Sequence, residues 1–120
     1  YGFFPRTCAD DGDPLDVLVM VTLPTFPGCL MAVRPVGAFE MRDERGLDEK
    51  ILAVPLHDPL YEEYRDLNDV PGHYLREVEH FFAIYKELEG VHTEVGGWRD
   101  RAVAYRMITA ACESYDRRGR

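Results

Sequence analysis

Apolar residues run unbroken from Val17 to Val21, in the stretch Val17-Leu18-Val19-Met20-Val21. The run is too short for a helix and rich in valine, which predicts a buried strand over 15–23. Thr25-Phe26-Pro27-Gly28 reads as a turn. Residues 29–41 read as a long strand, with Pro35 and Gly37 marking the bend or bulge that barrel strands need. A third strand is predicted over 50–57, followed by a short helix and loop over 58–70. The period then changes to that of a helix over 71–88, where Leu75, Val78, Phe81, Phe82, Tyr85 and Leu88 fall on one stripe. Asn68 or Asp69 can cap that helix, Pro71 suits its first turn, and Gly90 ends it. Residues 91–98 alternate as a fourth strand. Asp100 caps a last helix whose stripe is Ala104, Met107, Ile108, Ala111, Cys112 and Tyr115. Strands followed by helices predict an α+β fold, mainly β, with a barrel-like sheet covered by two helices.

Composition narrows the function classes. The 120 residues, 46% apolar, fit one globular domain over 1–120 with a real core. The 22 acids against 14 bases give a net charge of −8, which opposes binding to nucleic acid or an anionic membrane. The same charge opposes an anionic ligand as well, unless divalent metals bound to the carboxylates offset it. Cys8, Cys29 and Cys112 show no disulfide or zinc spacing, so reduced thiols in a cytoplasmic protein are expected. The histidines at 57, 73, 80 and 92 share no metal spacing. No stretch is long enough to span a membrane, and no signal peptide is visible.

The candidate chemistry begins just ahead of the first apolar run. Asp11-Gly12-Asp13-Pro14-Leu15-Asp16-Val17 packs three carboxylates around Gly and Pro. Two carboxylates at ~4 Å repel by about 4 kcal/mol at an effective dielectric of ~20, a cost that a cation turns into binding energy. Hard oxygen ligands favour Mg²⁺, Mn²⁺ or Ca²⁺ over Zn²⁺. An EF-hand is excluded, since Leu23 and Pro24 stand where its closing Glu would fall. A solvated turn and a cation site both remain open for this segment.

Further acids and cations follow. In Asp43-Glu44-Arg45-Gly46-Leu47-Asp48-Glu49-Lys50, Gly46 marks a turn, so Asp43 and Asp48 flank a hairpin. Asp48 and Lys50 are two apart and share a strand face. Taken alone, this segment reads equally as a charged surface hairpin.

Together these segments resemble the soluble, Mg²⁺-dependent inorganic pyrophosphatases of the OB-barrel type. The signature Asp-x-Asp-Pro-x-Asp-Val is matched by Asp11 to Val17. The likeness extends through Tyr1-Gly2-Phe3, Arg34-Pro35-Val36-Gly37, Asp43…Asp48-x-Lys50, Ala53-Val54-Pro55, Asp66-Leu67-Asn68-Asp69-Val70-Pro71, His80-Phe81-Phe82…Tyr85-Lys86 and Gly97-Trp98.

The resemblance implies a small OB-like β-barrel packed by two C-terminal helices, and hydrolysis of diphosphate with Mg²⁺, Mn²⁺ or another divalent metal. It implies that Asp11, Asp16 and Asp48 bind the tightest metals, that Asp43 and Asp48 serve a further one, and that Asp13 accepts the proton of the attacking water. A fourth metal ligand is the other reading of Asp13. Lys50 and Lys86 are implied as phosphate clamps, with surface lysines as the alternative. Tyr85 has core packing as its alternative, and Tyr1 is implied to hydrogen-bond into the metal site. His80 matches a position of subunit contact, implying a homo-oligomer, a hexamer if the chain is of bacterial type. Trp98 reads as a core or interface ring.

Relatives carry a further segment ahead of the residue matched by Tyr1, with an acidic ligand, a Lys and an Arg for phosphate, and the first barrel strands. The expectation is therefore an N-terminally truncated chain, with a catalytically impaired metal-binding fragment as the alternative to an active enzyme. A third class, an OB-type nucleic-acid module, needs a basic groove with aromatic platforms, which the charge opposes.

Overall fold

The computed structural model describes residues 1–118. Among these residues there are five strands: β1 (Gly2–Phe3), β2 (Asp16–Val19), β3 (Val33–Asp43), β4 (Gly46–Pro55) and β5 (Glu94–Arg99). Two helices accompany them, α1 (Gly72–Tyr85) and α2 (Arg101–Arg118). The strands form one sheet in the order β1-β2-β4-β3-β5. All neighbours are antiparallel except β2 and β4, which run parallel with Asp16 opposite Lys50. The mainly β architecture with two C-terminal helices is the one expected.

The helices cover opposite faces of the sheet. On one face Leu15, Val17, Ala38, Ile51 and Ala53 pack with Ala104 and Ala111 of α2. On the other, Phe39 and Met41 pack with Val78 and Phe82 of α1, beside a second group formed by Val36, Leu52, Val54 and Val70. Strand β4 shows how the alternation works: Ile51 and Ala53 point to α2, while Leu52 and Val54 point away. In β3 the parity reverses. Val36 and Ala38 lie two apart yet face opposite sides, because the register shifts between Pro35 and Gly37. This is the bulge expected from that Pro and Gly.

The differences from expectation lie at element ends. Strand β2 stops at Val19, since the chain beyond it carries Pro24 and Pro27 and lies on the surface, with Leu23, Phe26 and Leu30 largely exposed. Strand β3 runs on to Asp43 and β4 begins at Gly46, four residues earlier than expected. The reason is a two-residue connection, Glu44-Arg45, with Gly46 at φ 112°. Strand β1 was not anticipated: its two residues have too little pattern of their own and exist by pairing with Asp16 and Val17.

Helix α1 has no side-chain cap, and its N-cap is Pro71. Asp69 instead accepts from the backbone of Arg65 and Asp66 and closes a capping box with Asp66 around a short 3₁₀ turn, Leu67–Asp69. At its other end α1 stops at Tyr85, a 3₁₀ turn spans Glu87–Glu89, and Gly90 closes it at φ 75°. The expected stripe therefore buries only Val78 and Phe82 fully; Phe81, Tyr85 and Leu88 are exposed. The Asp100 cap is present, with its Oδ1 accepting from Val103 N–H at 3.1 Å.

Candidate active site

The acidic signature lies on a loop tied shut at its base. Phe4 N–H donates to the Leu15 carbonyl at 2.9 Å. The buried Thr7 hydroxyl donates to the Phe4 carbonyl at 2.6 Å and accepts from Leu15 N–H at 2.9 Å. Cys8 N–H donates to Ala111 of α2 at 3.0 Å, so the loop is anchored on the helix as well. Asp11 Oδ1 accepts from Asp13 N–H at 2.9 Å, and Gly12 takes φ 88°. The segment is thus a tight Asx turn, and the same geometry presents its carboxylates at the mouth of β2. The turn and the cluster are one structure.

The sheet brings the remaining groups alongside. Asp16 opens β2 directly opposite Lys50 of β4. Lys50 Nζ lies 3.2 Å from Asp16 Oδ2 and 3.2 Å from Asp48 Oδ1, and it donates to the Tyr1 hydroxyl at 2.9 Å. That hydroxyl donates in turn to Asp16 Oδ2 at 2.8 Å. Asp48 reaches the same ammonium because it sits two residues before Lys50 on one strand face. The ring of Phe82 also flanks the ammonium, with its centroid at 5.0 Å. The β3–β4 turn supplies Asp43, whose Oδ1 accepts from Arg45 N–H at 2.8 Å. Its Oδ2 meets Lys86, just past α1, at 2.8 Å. Lys86 also reaches Asp48 Oδ2 at 3.3 Å.

These contacts set the protonation states. Burial alone would lower the Lys50 pKa, but the Tyr1 hydroxyl, Asp48 and Asp16 outweigh it and hold the ammonium well above its ordinary range. Lys86 behaves likewise: burial lowers it, and Asp43 and Asp48 more than compensate. Asp43 is held below the ordinary carboxylate range by the Lys86 hydrogen bond first and the Arg45 N–H second. Burial pushes the Tyr1 hydroxyl up, against the opposing pull of Lys50.

All of Tyr1, Asp11, Asp13, Asp16, Asp43, Asp48, Lys50, Tyr85 and Lys86 line one open cavity of about 700 Å³. Its wall also carries Glu44, Arg45 and Glu89, which the sequence reading did not single out. Arg45 sits in the hairpin turn beside Asp43, and that adjacency was the available signal. Glu89 had none, because only the 3₁₀ turn after α1 brings it to the rim. Tyr85 is not a core ring: it is 47% exposed and stacks on Phe81 at 5.6 Å. His80 lies exposed on α1, away from the cavity lining. Trp98 packs on Phe39 at 4.9 Å, on the core side.

Comparison with known proteins decides the family. The family described as Pyrophosphatase, inorganic pyrophosphatase, matches residues 1–116. The chain belongs to the inorganic pyrophosphatase family. It is 50% identical to the inorganic pyrophosphatase of Methanosarcina mazei over 115 residues, covering 96% of this chain and 68% of that one. With the inorganic pyrophosphatase of Leifsonia xyli it shares 48% identity over 120 residues, 99% of this chain and 74% of that one. Among solved structures, the inorganic pyrophosphatase of Thermus thermophilus superposes with a TM-score of 0.91 at 42% identity, covering 95% of this chain and 67% of that one.

As a pyrophosphatase by family, the chain is a hydrolase of the inorganic diphosphatase class, and its cavity can be tested against the divalent metal that such enzymes imply. The donor set fits in kind: the cavity wall carries seven carboxylates against three cationic side chains. Two ammonium groups are already seated among the carboxylates, so the site accommodates positive charge. Among the described residues no three His, Cys, Asp or Glu side chains converge as a ligand set for one ion. The interposed lysines account for this, since Lys50 parts Asp16 from Asp48 and Lys86 bridges Asp43 and Asp48.

Proposed function

We propose that this pyrophosphatase hydrolyses inorganic diphosphate to two phosphates, with Mg²⁺ as the natural metal and Mn²⁺ or another divalent ion able to replace it. The observation that carries the reading is the convergence of five aspartates, two lysines and two tyrosines on one cavity in a chain of this family. Asp11, Asp16 and Asp48 are the residues to hold the tightest cations, and Asp43 with Asp48 a further one. Bound there, divalent cations lower the pKa of coordinated water and neutralise phosphate oxygens.

The chain's own groups do the rest. Asp13 takes the proton of the attacking water as its oxygen bonds to one phosphorus and the bridging P–O bond breaks. Lys50 and Lys86 compensate charge that develops on the leaving phosphate. Tyr85 offers its hydroxyl from the cavity wall, and Tyr1 holds Asp16 and Lys50 in register.

The exposed face of α1, with His80, Phe81 and Ile84, is the surface on which copies of the chain would associate. A cytoplasmic setting accords with three free thiols, Cys8, Cys29 and Cys112. No helix among the described residues is long and apolar enough to cross a membrane.

Phosphate release from diphosphate, measured with Mg²⁺ and again with a chelator, tests the reading. Mg²⁺-dependent release supports it. A chain that takes up cations without releasing phosphate is the impaired metal-binding fragment instead.

A further inference from the structure

The two lysines of the cavity are held in different ways. Lys50 is 5% exposed and rises from the middle of a strand. Its ammonium has the Tyr1 hydroxyl, Asp16 and Asp48 as hydrogen-bond partners and the ring of Phe82 beside it. Lys86 follows the last residue of α1, where its carbonyl is fixed by Glu89 N–H at 3.1 Å and Val91 N–H at 3.0 Å. Its side chain is more exposed, and its ammonium is held by Asp43 and Asp48, with no ring beside it among the described residues. Lys86 thus has a fixed root and a head held by two carboxylates alone among the described residues.

We propose that Lys86 is the exchangeable occupant of the Asp43–Asp48 seat. A divalent cation entering that seat displaces the ammonium into the cavity, where it meets the phosphate groups of the substrate, while Lys50 stays in its cage. The inference rests on reading the cavity as a diphosphate site. The exchange puts two positive charges where one stood and releases the first toward the same cavity. Cation uptake therefore makes the cavity receptive to an anion, and by linkage the anion strengthens cation binding by the same factor. Lys50 cannot play this part, because its own side chain is buried in the sheet and its ammonium has a third polar partner, the Tyr1 hydroxyl, and the Phe82 ring beside it.

The test is a Mn²⁺ titration of the chain without substrate, read by calorimetry. Removing the competitor in Lys86→Met and Lys86→Gln should tighten Mn²⁺ binding about tenfold, within the usual range for coupled sites. Arg45→Met takes a positive charge from the same wall and from a side chain with no ion pair among the described residues, and should shift the affinity less than about twofold. Unchanged affinity in both Lys86 variants overturns the proposal. An equal gain in Arg45→Met also overturns it, since the effect would then be the general field and not occupancy of the seat.

The wild-type chain gives a second readout free of folding losses. With ¹⁵N-labelled lysine, Mg²⁺ should move the Lys86 ammonium signal toward that of a solvated lysine and leave the Lys50 signal in place. An unmoved Lys86 signal in a chain that binds Mg²⁺ counts against exchange. Diphosphate hydrolysis without any lysine effect removes this inference and leaves the functional reading; a lysine effect without hydrolysis does the reverse.

Discussion

The hydroxyl of Tyr1 donates to Asp16 Oδ2 at 2.8 Å, from the residue just before β1 to the first residue of β2. The same oxygen receives the Lys50 ammonium, so one phenol fixes the distance between a carboxylate and a buried cation. Tyr1→Phe keeps the ring against Phe82 and deletes only the bridge. Hydrogen bonds to charged groups contribute about 1.5–3 kcal/mol, so kcat/KM for diphosphate should fall by about tenfold or more. Equal kcat/KM in wild type and Tyr1→Phe removes the hydroxyl from the machinery.

Gly37 is required by contact and not by dihedral angle. A Cβ placed there would meet Leu67 Cδ1 at 2.9 Å and the Arg99 carbonyl oxygen at 3.0 Å. The leucine can swing away, but the carbonyl belongs to the end of β5 and cannot move without the strand. Gly37→Ala should cost about 1–3 kcal/mol, the usual range for overpacking. Adding Leu67→Ala should recover only part of it. Full recovery in the double variant, measured by denaturant unfolding, would place all the strain on Leu67 and none on β5.

Asp66 ties the 3₁₀ turn before α1 to the start of α2. Its Oδ1 accepts from Arg101 N–H at 3.0 Å and from Leu67 N–H at 2.7 Å. The Arg101 bond first, and the Leu67 bond second, hold its pKa below the ordinary carboxylate range. A depressed folded-state pKa means the contribution is complete above the unfolded value, near pH 4, and is lost as pH falls through the folded value. Asp66→Ala should therefore melt a few degrees below wild type at pH 7. The gap should close as the wild type is taken to pH 2–3. A gap that persists undiminished in acid would mean that the carboxylate charge is not what caps α2.

Much of this is legible in the sequence, and the limits are physical. The nine proposed site residues reach one cavity because short-range constraints place them: the Asx turn at Asp11, the hairpin at Gly46 and the strand period linking Asp48 to Lys50. Pro35 and Gly37 announced the bulge for the same reason. What was not legible depends on distant partners. The pairing of Asp16 with Lys50 is a parallel contact between strands far apart in sequence, and β1 exists only through β2. The stripe of α1 looked continuous through Leu88, yet helix and sheet part company after Phe82, leaving Tyr85 to the cavity and Leu88 to solvent. Asp69 fitted a cap for α1 by spacing, but Asp66 stood at the spacing for a capping box and took it.

Asp13 and Asp16 lie three residues apart and are predicted to fail in different ways. Asp16 accepts from Tyr1 and Lys50 and is a proposed cation ligand, so Asp16→Ala should weaken Mn²⁺ binding and turnover together. Asp13 lines the cavity with its backbone N–H donating to Asp11 and its carbonyl accepting from Ala9 N–H, while its carboxylate has no hydrogen bond among the described residues. Its carboxylate is uncommitted, as a proton acceptor for water needs to be. Asp13→Ala should leave Mn²⁺ affinity within about threefold while cutting turnover by about 10²–10⁴, the usual weight of a general base. Asp13→Asn separates charge from shape: it keeps the size and hydrogen-bonding capacity but cannot take a proton, so it should be as slow as the alanine variant. If Asp13→Asn turns over near the wild-type rate across pH 6–9, Asp13 is not the base. If it loses Mn²⁺ affinity as severely as Asp16→Ala, Asp13 is a further ligand, and the proton must go elsewhere.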